Sequence, residues 1–283
     1  MYGELLAALS AFCWAAGGIF YKKGLENTNI WTGNLIRTAV ASAGFILIMY
    51  FQGILSSVIS KFTAELLFWL FFSAFFAFFV GDLFYLEALN RCGVSRALPV
   101  SSTYPLFVAF LAIVIYGVEL SFKLFAGAIF IIIAIYLISE NQNSSGNSFS
   151  GIVFSLLAAI SWSLSISTID YLVVHLPVEA VAGFRFIIAS SITVSMVAFK
   201  GLKINFRALK WLGVGGIVAL IIGNYAFVEA IRVAGSAKVT PISATYPVIA
   251  AVFAGYTLKE VLNARVIAGI ILSFSGVLLV IYS

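Results

Sequence analysis

A chain of 283 residues that is 63% hydrophobic and only 10% charged, with a mean hydropathy of +1.12, is far more apolar than a soluble globular domain, where about a quarter of residues are charged. So few charges cannot cover a water-facing surface, so the composition excludes an ordinary soluble enzyme and points to lipid. The formal net charge of +5 comes from basic loops, for which anionic lipid headgroups are the expected partner, and nothing in the pattern indicates nucleic acid.

The apolar residues come in runs of roughly 18 to 25 between short polar breaks, the length an α-helix needs to cross about 30 Å of hydrocarbon. Barrel strands would alternate polar and apolar residues instead, so helices are expected. In chain order, spans are expected over residues 4–24, 30–51, 65–88, 95–116 and 121–139, then 151–173, 178–199, 208–231, 237–257 and 262–282. The expected fold is an all-α polytopic membrane protein with ten transmembrane helices as two inverted sets of five. The first run lacks a basic leader and reads as a helix that stays in the membrane, not as a cleaved signal. Between the sets lies the most polar stretch, Glu140-Asn-Gln-Asn-Ser-Ser-Gly-Asn-Ser-Phe-Ser150. The chain therefore divides into a first repeat, 1–139, a linker, 140–150, and a second repeat, 151–283.

The two sets are copies of one another. Pro99-Val-Ser-Ser-Thr-Tyr-Pro105 returns as Pro241-Ile-Ser-Ala-Thr-Tyr-Pro247, each preceded by an acidic signature, Glu87-Ala-Leu and Glu229-Ala-Ile. Trp14 aligns with Trp162 and Arg37 with Arg185. At a slightly different offset Gly81 aligns with Gly223, Asp82 with Asn224, Gly93 with Gly235 and Gly127 with Gly269. An odd number of spans per copy makes the second copy enter the bilayer upside down. That inverted arrangement is the sequence mark of a secondary transporter.

Within the spans, Pro105 and Pro247 are expected to remove a backbone donor and free the carbonyls of Ser101 and Ser243. In hydrocarbon such a carbonyl needs protein, water or ligand, so both kinks are expected to face the interior. Ser101, Thr103 and Tyr104, with Ser243, Thr245 and Tyr246, place hydroxyls beside them. The alternative is that the prolines only shape their helices and the hydroxyls bond their own backbones. Pro99 and Pro241 read as helix starts. Arg37 and Arg185 lie about two turns inside their helices, where an insertion scale charges about 2.5 to 3.5 kcal/mol for an arginine. Each either snorkels to the interface or binds a carboxylate, whether of a solute or of Asp82 or Glu87.

The candidate acids are Asp82, Glu87, Asp170 and Glu229, and one that faced a cavity could take up and release a proton in a coupled cycle. Glu87 with Arg91 at i+4 and Glu229 with Arg232 at i+3 have the spacing of plain helix ion pairs. Asp82 has no such neighbour, shares its face with Tyr85, and is the favoured functional acid. Trp14 and Trp162 are suited equally to stacking on a solute and to packing. The aromatic run from Phe68 to Phe79 reads as lipid-facing or packing residues without chemistry. Ser161, Ser165 and Thr168 form a polar stripe that either lines a cavity or joins helices. Gly269 and Gly276 allow close helix contact, within one chain or between two in a homodimer. The single His175 with Cys13 and Cys92 builds neither a metal site nor a disulfide framework, and there is no phosphate loop, HExxH or nucleophile elbow, so no cofactor is expected.

Taken together, a Trp-Ala-like dipeptide in the first span, an early arginine in the second, and Glu87-Ala-Leu followed by a small-residue loop and a proline-bearing fourth span, in an order repeated twice, resemble the EamA type of the drug/metabolite transporter superfamily. The resemblance covers almost the whole chain. It implies a transporter with a central cavity lined by spans 1–4 and 6–9, with spans 5 and 10 peripheral. Glu119 and Glu260 are out of step by one residue and receive no matching roles. The family is usually described with both termini in the cytoplasm, whereas the basic residues concentrate on the opposite face, so orientation stays open. The resulting expectation is a multi-pass protein of the cell membrane that moves small organic solutes, such as amino acids or related metabolites, by alternating access. Export is one direction open to it, with proton coupling at Asp82, Glu87 or Glu229. Substrate is expected to meet Trp14, Arg37, Asp82, Tyr85, Ser101, Thr103, Tyr104, Trp162, Arg185, Asn224, Ser243, Thr245 and Tyr246. The alternative is a non-transporting membrane protein, a lipid-modifying enzyme or a scaffold. An enzyme should gather acid, base and nucleophile at one depth, and the sequence shows no such set.

Overall fold

In a computed structural model the described residues are 1–116, 122–139, 147–258 and 263–281, and among them every regular element is a helix. Glu119, Glu260 and linker residues 140–146 lie outside the described residues. The first two helices, Tyr2–Leu25 and Ile30–Phe51, are separated by a short turn, and Asn29 Oδ1 accepts from the Thr32 N–H at 3.0 Å to start the second. Thr63 does the same for the helix that begins at Ala64, its Oγ1 accepting from Leu66 N–H at 3.2 Å.

Among the described residues, six helices are long and apolar enough to cross a membrane: Tyr2–Leu25, Ile30–Phe51, Ala64–Cys92, Phe149–His175, Val178–Phe199 and Phe206–Ala234. This is fewer than the ten expected. The expected fourth and ninth spans are each broken, into Val94–Ser101 and Tyr104–Tyr116, and into Ser236–Ser243 and Tyr246–Thr257. Proline explains the break. A missing N–H is costly inside a helix and harmless in its first turn, so restarting at Tyr104 and Tyr246 puts Pro105 and Pro247 where no donor is needed. The two prolines therefore begin half-helices and do not kink continuous ones, while Pro99 and Pro241, expected at helix starts, lie within the preceding pieces.

The last expected span of each half is a helix of 18 residues, Phe122–Ser139 and Ala264–Ile281. These two pack side by side. A Cβ on Gly276 would stand 2.8 Å from the Gly127 carbonyl oxygen, so the small residue there serves a contact within the chain.

The duplication extends into backbone geometry that no residue pattern announced. Each half carries one π-helical segment, Phe75–Gly81 and Gly216–Gly223, ending just before Asp82 and Asn224. A π turn inserts a residue into the helix and shifts the facing of everything after it. The positive-φ glycines also fall into repeat pairs, Gly53 (φ 68°) with Gly201 (59°) and Gly93 (79°) with Gly235 (77°), a conformation that side chains disfavour.

Helices from the two halves interleave. Tyr2–Leu25 packs along Phe206–Ala234, Ile30–Phe51 along Val178–Phe199, and the Asp82–Cys92 segment along Asn147–Ile166. Phe45 and Phe186 stack at 5.9 Å between the second of these pairs. Leu67, Phe68, Phe71, Ile132 and Ile133 stay exposed on the outside, as a lipid-facing surface requires. Phe78, from the same aromatic run, turns inward and is buried.

Candidate functional site

Where the helices of both halves converge, the bundle encloses a cavity of about 110 Å³. One water needs about 10–15 Å³ by the same kind of measure, so the space suits several waters or one compact solute. Its walls carry the charged side chains Arg37, Asp82 and Arg185, polar groups from Tyr21, Tyr85, Tyr104, Ser165, Asn224 and Tyr246, and the apolar or aromatic surfaces of Trp14, Phe78, Trp162, Ile166, Ile169, Leu220 and Phe227.

In the first half the charges are matched. Arg37 is 1% exposed, and its Nη2 donates to Asp82 Oδ2 in a buried ion pair. Its Nε donates to Asn34 Oδ1 at 3.1 Å, and Asn34 Nδ2 in turn donates to the Phe78 carbonyl at 2.8 Å, a backbone group of the π segment. The guanidinium lies 4.5 Å from the Tyr21 ring. The second carboxylate oxygen of Asp82 accepts from Trp162 Nε1 at 3.1 Å, so a residue of the other half completes the group. Glycine permits that approach: a Cβ on Gly81 would stand 2.7 Å from Trp162 Cδ1. Gly223 is the repeat counterpart, with Trp14 Cδ1 3.2 Å from a Cβ there.

In the second half the match is absent. Asn224 stands where the first half has Asp82. Arg185, 2% exposed, donates through Nη2 to Ser165 Oγ at 2.8 Å and sits 4.8 Å from the Phe78 ring. Ser165 Oγ is also 2.9 Å from Ser73 Oγ. Arg185 Nε and Nη1, Asn224 Oδ1 and Tyr104 OH have no hydrogen-bond partner among the described residues.

The structure thus brings Trp14, Arg37, Asp82, Tyr85, Tyr104, Trp162, Arg185, Asn224 and Tyr246 to one cavity. Ser101, Thr103, Ser243 and Thr245 are not among the residues that line it, although Ser101 Oγ lies 3.4 Å from the hydroxyl of the lining residue Tyr246. Thr103 Oγ1 donates to the Val100 carbonyl at 2.7 Å, Ser102 Oγ to Pro99 at 2.8 Å and Ser101 Oγ to Leu98 at 3.1 Å. The Leu98 and Val100 carbonyls also accept from the Ser102 and Thr103 N–H groups at 2.9 and 3.2 Å, and Pro99 accepts from Ser273 Oγ at 3.1 Å, so these hydroxyls reinforce the end of Val94–Ser101. Thr245 Oγ1 closes the Ile242 carbonyl at 2.8 Å, and Ser243 Oγ points to Ala7 at 3.5 Å. Glu87 pairs with Arg91 at 2.5 Å and Glu229 with Arg232 at 2.5 Å, and neither glutamate lines the cavity. Asp170 is exposed and accepts from Ser236 N–H at 3.3 Å.

Tyr21 and Phe78 line the cavity without having been singled out. Both had a signal in the sequence: Tyr21 follows Trp14 by two helical turns on one face, and Phe78 precedes Asp82 by about one turn.

An all-helical bundle with an apolar exterior and a charged, aromatic-walled interior shared by two repeats has the architecture of a membrane carrier. The model of the EamA-like transporter family matches residues 1–140 and 149–282. A protein of Archaeoglobus fulgidus described as an uncharacterized transporter is 39% identical over 279 residues, covering 98% of this chain and 97% of its own length. A solved crystal structure superposes with a TM-score of 0.71 at 15% identity, over 98% of this chain and 95% of that one, a likeness of fold. The chain belongs to the EamA-like transporter family and is a multi-pass integral membrane protein.

Proposed function

We propose that this protein is a secondary transporter that moves a small organic solute, an amino acid or related metabolite, by alternating access of its two halves. The observation that carries the reading is a buried, charged cavity built from equivalent residues of both repeats, Trp14 with Trp162, Arg37 with Arg185 and Tyr104 with Tyr246. Matched helix breaks and matched π segments support it, because they give each half the same points at which packed helices can bend. The ten-span count is part of this proposal. The pieces on either side of Thr103 and of Thr245 each count as one span, giving two inverted five-helix repeats over 1–139 and 151–283.

Asp82 is the proposed proton site. Among the described residues it is the carboxylate that lines the cavity, and protonating it would release Arg37 from its partner. The test is uptake and counterflow in proteoliposomes across a metabolite panel, with and without a pH gradient. Saturable flux stimulated by the gradient is expected. Asp82→Asn keeps the size of the side chain and removes its titration, so the ratio of gradient-driven flux to counterflow should fall to the ungraded level. Reading the ratio removes differences in the amount of folded protein. Absence of saturable flux for every solute contradicts carriage, and an unchanged ratio in Asp82→Asn contradicts the proton role.

A further inference from the structure

We infer that Arg185 anchors the carboxylate of the transported solute, and that the cavity takes a compact organic acid carrying one net negative charge. This rests on the transporter reading. Three charged side chains line the cavity, Arg37, Asp82 and Arg185. Asp82 accepts from Arg37 on one oxygen and from Trp162 Nε1 on the other, so its charge is already matched within the protein. The balance is one positive charge, on the Arg185 guanidinium.

Arg185 makes a single hydrogen bond, to Ser165, and its Nε and Nη1 are buried without a partner. An unpaired buried charge is unfavourable, so an anion that enters the cavity meets a counter-charge already in place. The repeat explains the vacancy in charge: where the first half supplies Asp82 as an internal counter-ion, the second supplies neutral Asn224. A carboxylate matches the guanidinium fork with two parallel hydrogen bonds. Asn224 Oδ1, also unpartnered, can accept from a hydroxyl beside that carboxylate. Apolar walls from Ile169 and Leu220 suit a short branched body. An amine without a carboxylate would face Arg185 with like charge and find no free acid.

Isothermal titration of the purified full-length protein in detergent tests this with three solutes of one branched carbon skeleton: 2-hydroxy-3-methylbutanoate, valine and isobutylamine. The hydroxy acid should bind at least as tightly as valine, and isobutylamine should not bind. In Arg185→Gln the hydroxy acid should bind about ten- to a hundredfold more weakly, the range expected for losing hydrogen bonds to a charged group. Arg185→Lys, which keeps the charge and loses the fork, should fall between the two. The charge series on the unmodified protein is independent of whether either variant folds. Failure of the hydroxy acid to bind, tighter binding of valine or isobutylamine, or an unchanged affinity in Arg185→Gln overturns the anion site. The same solutes in proteoliposomes keep the two readings apart. Isobutylamine flux would overturn the anion site and leave transport standing, whereas hydroxy-acid binding without flux of any solute would uphold the site and contradict transport.

Discussion

Replacing Asp82 by Leu is expected to destabilise the folded protein by about 3–5 kcal/mol, and replacing Arg37 and Asp82 together by Leu to recover most of that loss. The reason lies in what each change leaves behind. Asp82→Leu strands the Arg37 guanidinium at 1% exposure, without its counter-ion and with neutral Asn34 Oδ1 and the Tyr21 side chain beside it. Arg37→Leu strands less, because Asp82 keeps its bond from Trp162 Nε1. With both changed, the space is filled by apolar groups and neither member of the pair leaves a charge behind. Denaturation midpoints in detergent for the two single variants and the double variant close the cycle. Additive losses would show that Arg37 and Asp82 do not act as a pair. The double variant should nevertheless lose gradient-coupled flux, since stability and function part company at this site.

Two alanines three residues apart should act in opposite directions. Gly216 opens the second π segment, and a Cβ there would stand 2.9 Å from the Arg37 carbonyl oxygen and 3.2 Å from its Cα. Backbone cannot step aside as a side chain can, so Gly216→Ala should cost about 1–3 kcal/mol and reduce flux by moving the segment that carries Arg37. Gly213 has only the Leu209 and Val40 side chains near its added Cβ, at 3.9 and 4.0 Å. Gly213→Ala should therefore be neutral or stabilise by up to about 1 kcal/mol through helix propensity, with flux preserved. Thermal midpoints and counterflow rates of the two variants check this. Equal losses would mean that Gly216 does not hold the Arg37 backbone in place.

Much of the cavity was legible because the chain says it twice. Asp82 and Asn224 are unremarkable alone, but as repeat mates beside Gly81 and Gly223 they mark one position in two copies, as do the paired tryptophans and arginines. What a single copy cannot say is which partner a side chain chooses. Both arginines hold the same repeat position, yet one is neutralised and the other is not, because Arg37 finds Asp82 and Asn34 where the second half has Asn224 and Ala182. The hydroxyls of Ser101 and Thr103 looked like cavity groups only if Pro105 sat inside a continuous helix. Hydropathy sees an unbroken apolar run there, since a helix that stops at Ser101 and restarts at Tyr104 keeps the same composition. The π segments leave no residue signature for the same reason: Phe75–Gly81 is as apolar in one helical register as in another. Basic residues assigned to loops also proved to have local work. Lys22 Nζ donates to the Leu89 and Asn90 carbonyls at 2.8 and 3.1 Å, and Lys23 and Lys210 both lie over Trp211, so their number on one face mixes anchoring with topology.

The central claim is that one interior site opens in turn to each side of the membrane. It is tested most directly by placing a lone cysteine at Ser165, in a background with Cys13 and Cys92 replaced by Ala, and reacting it with a membrane-impermeant thiol reagent applied from one side of oriented proteoliposomes and then from the other. The account predicts modification from both sides, with solute slowing each. Modification confined to one side, whatever solute is present, would contradict it.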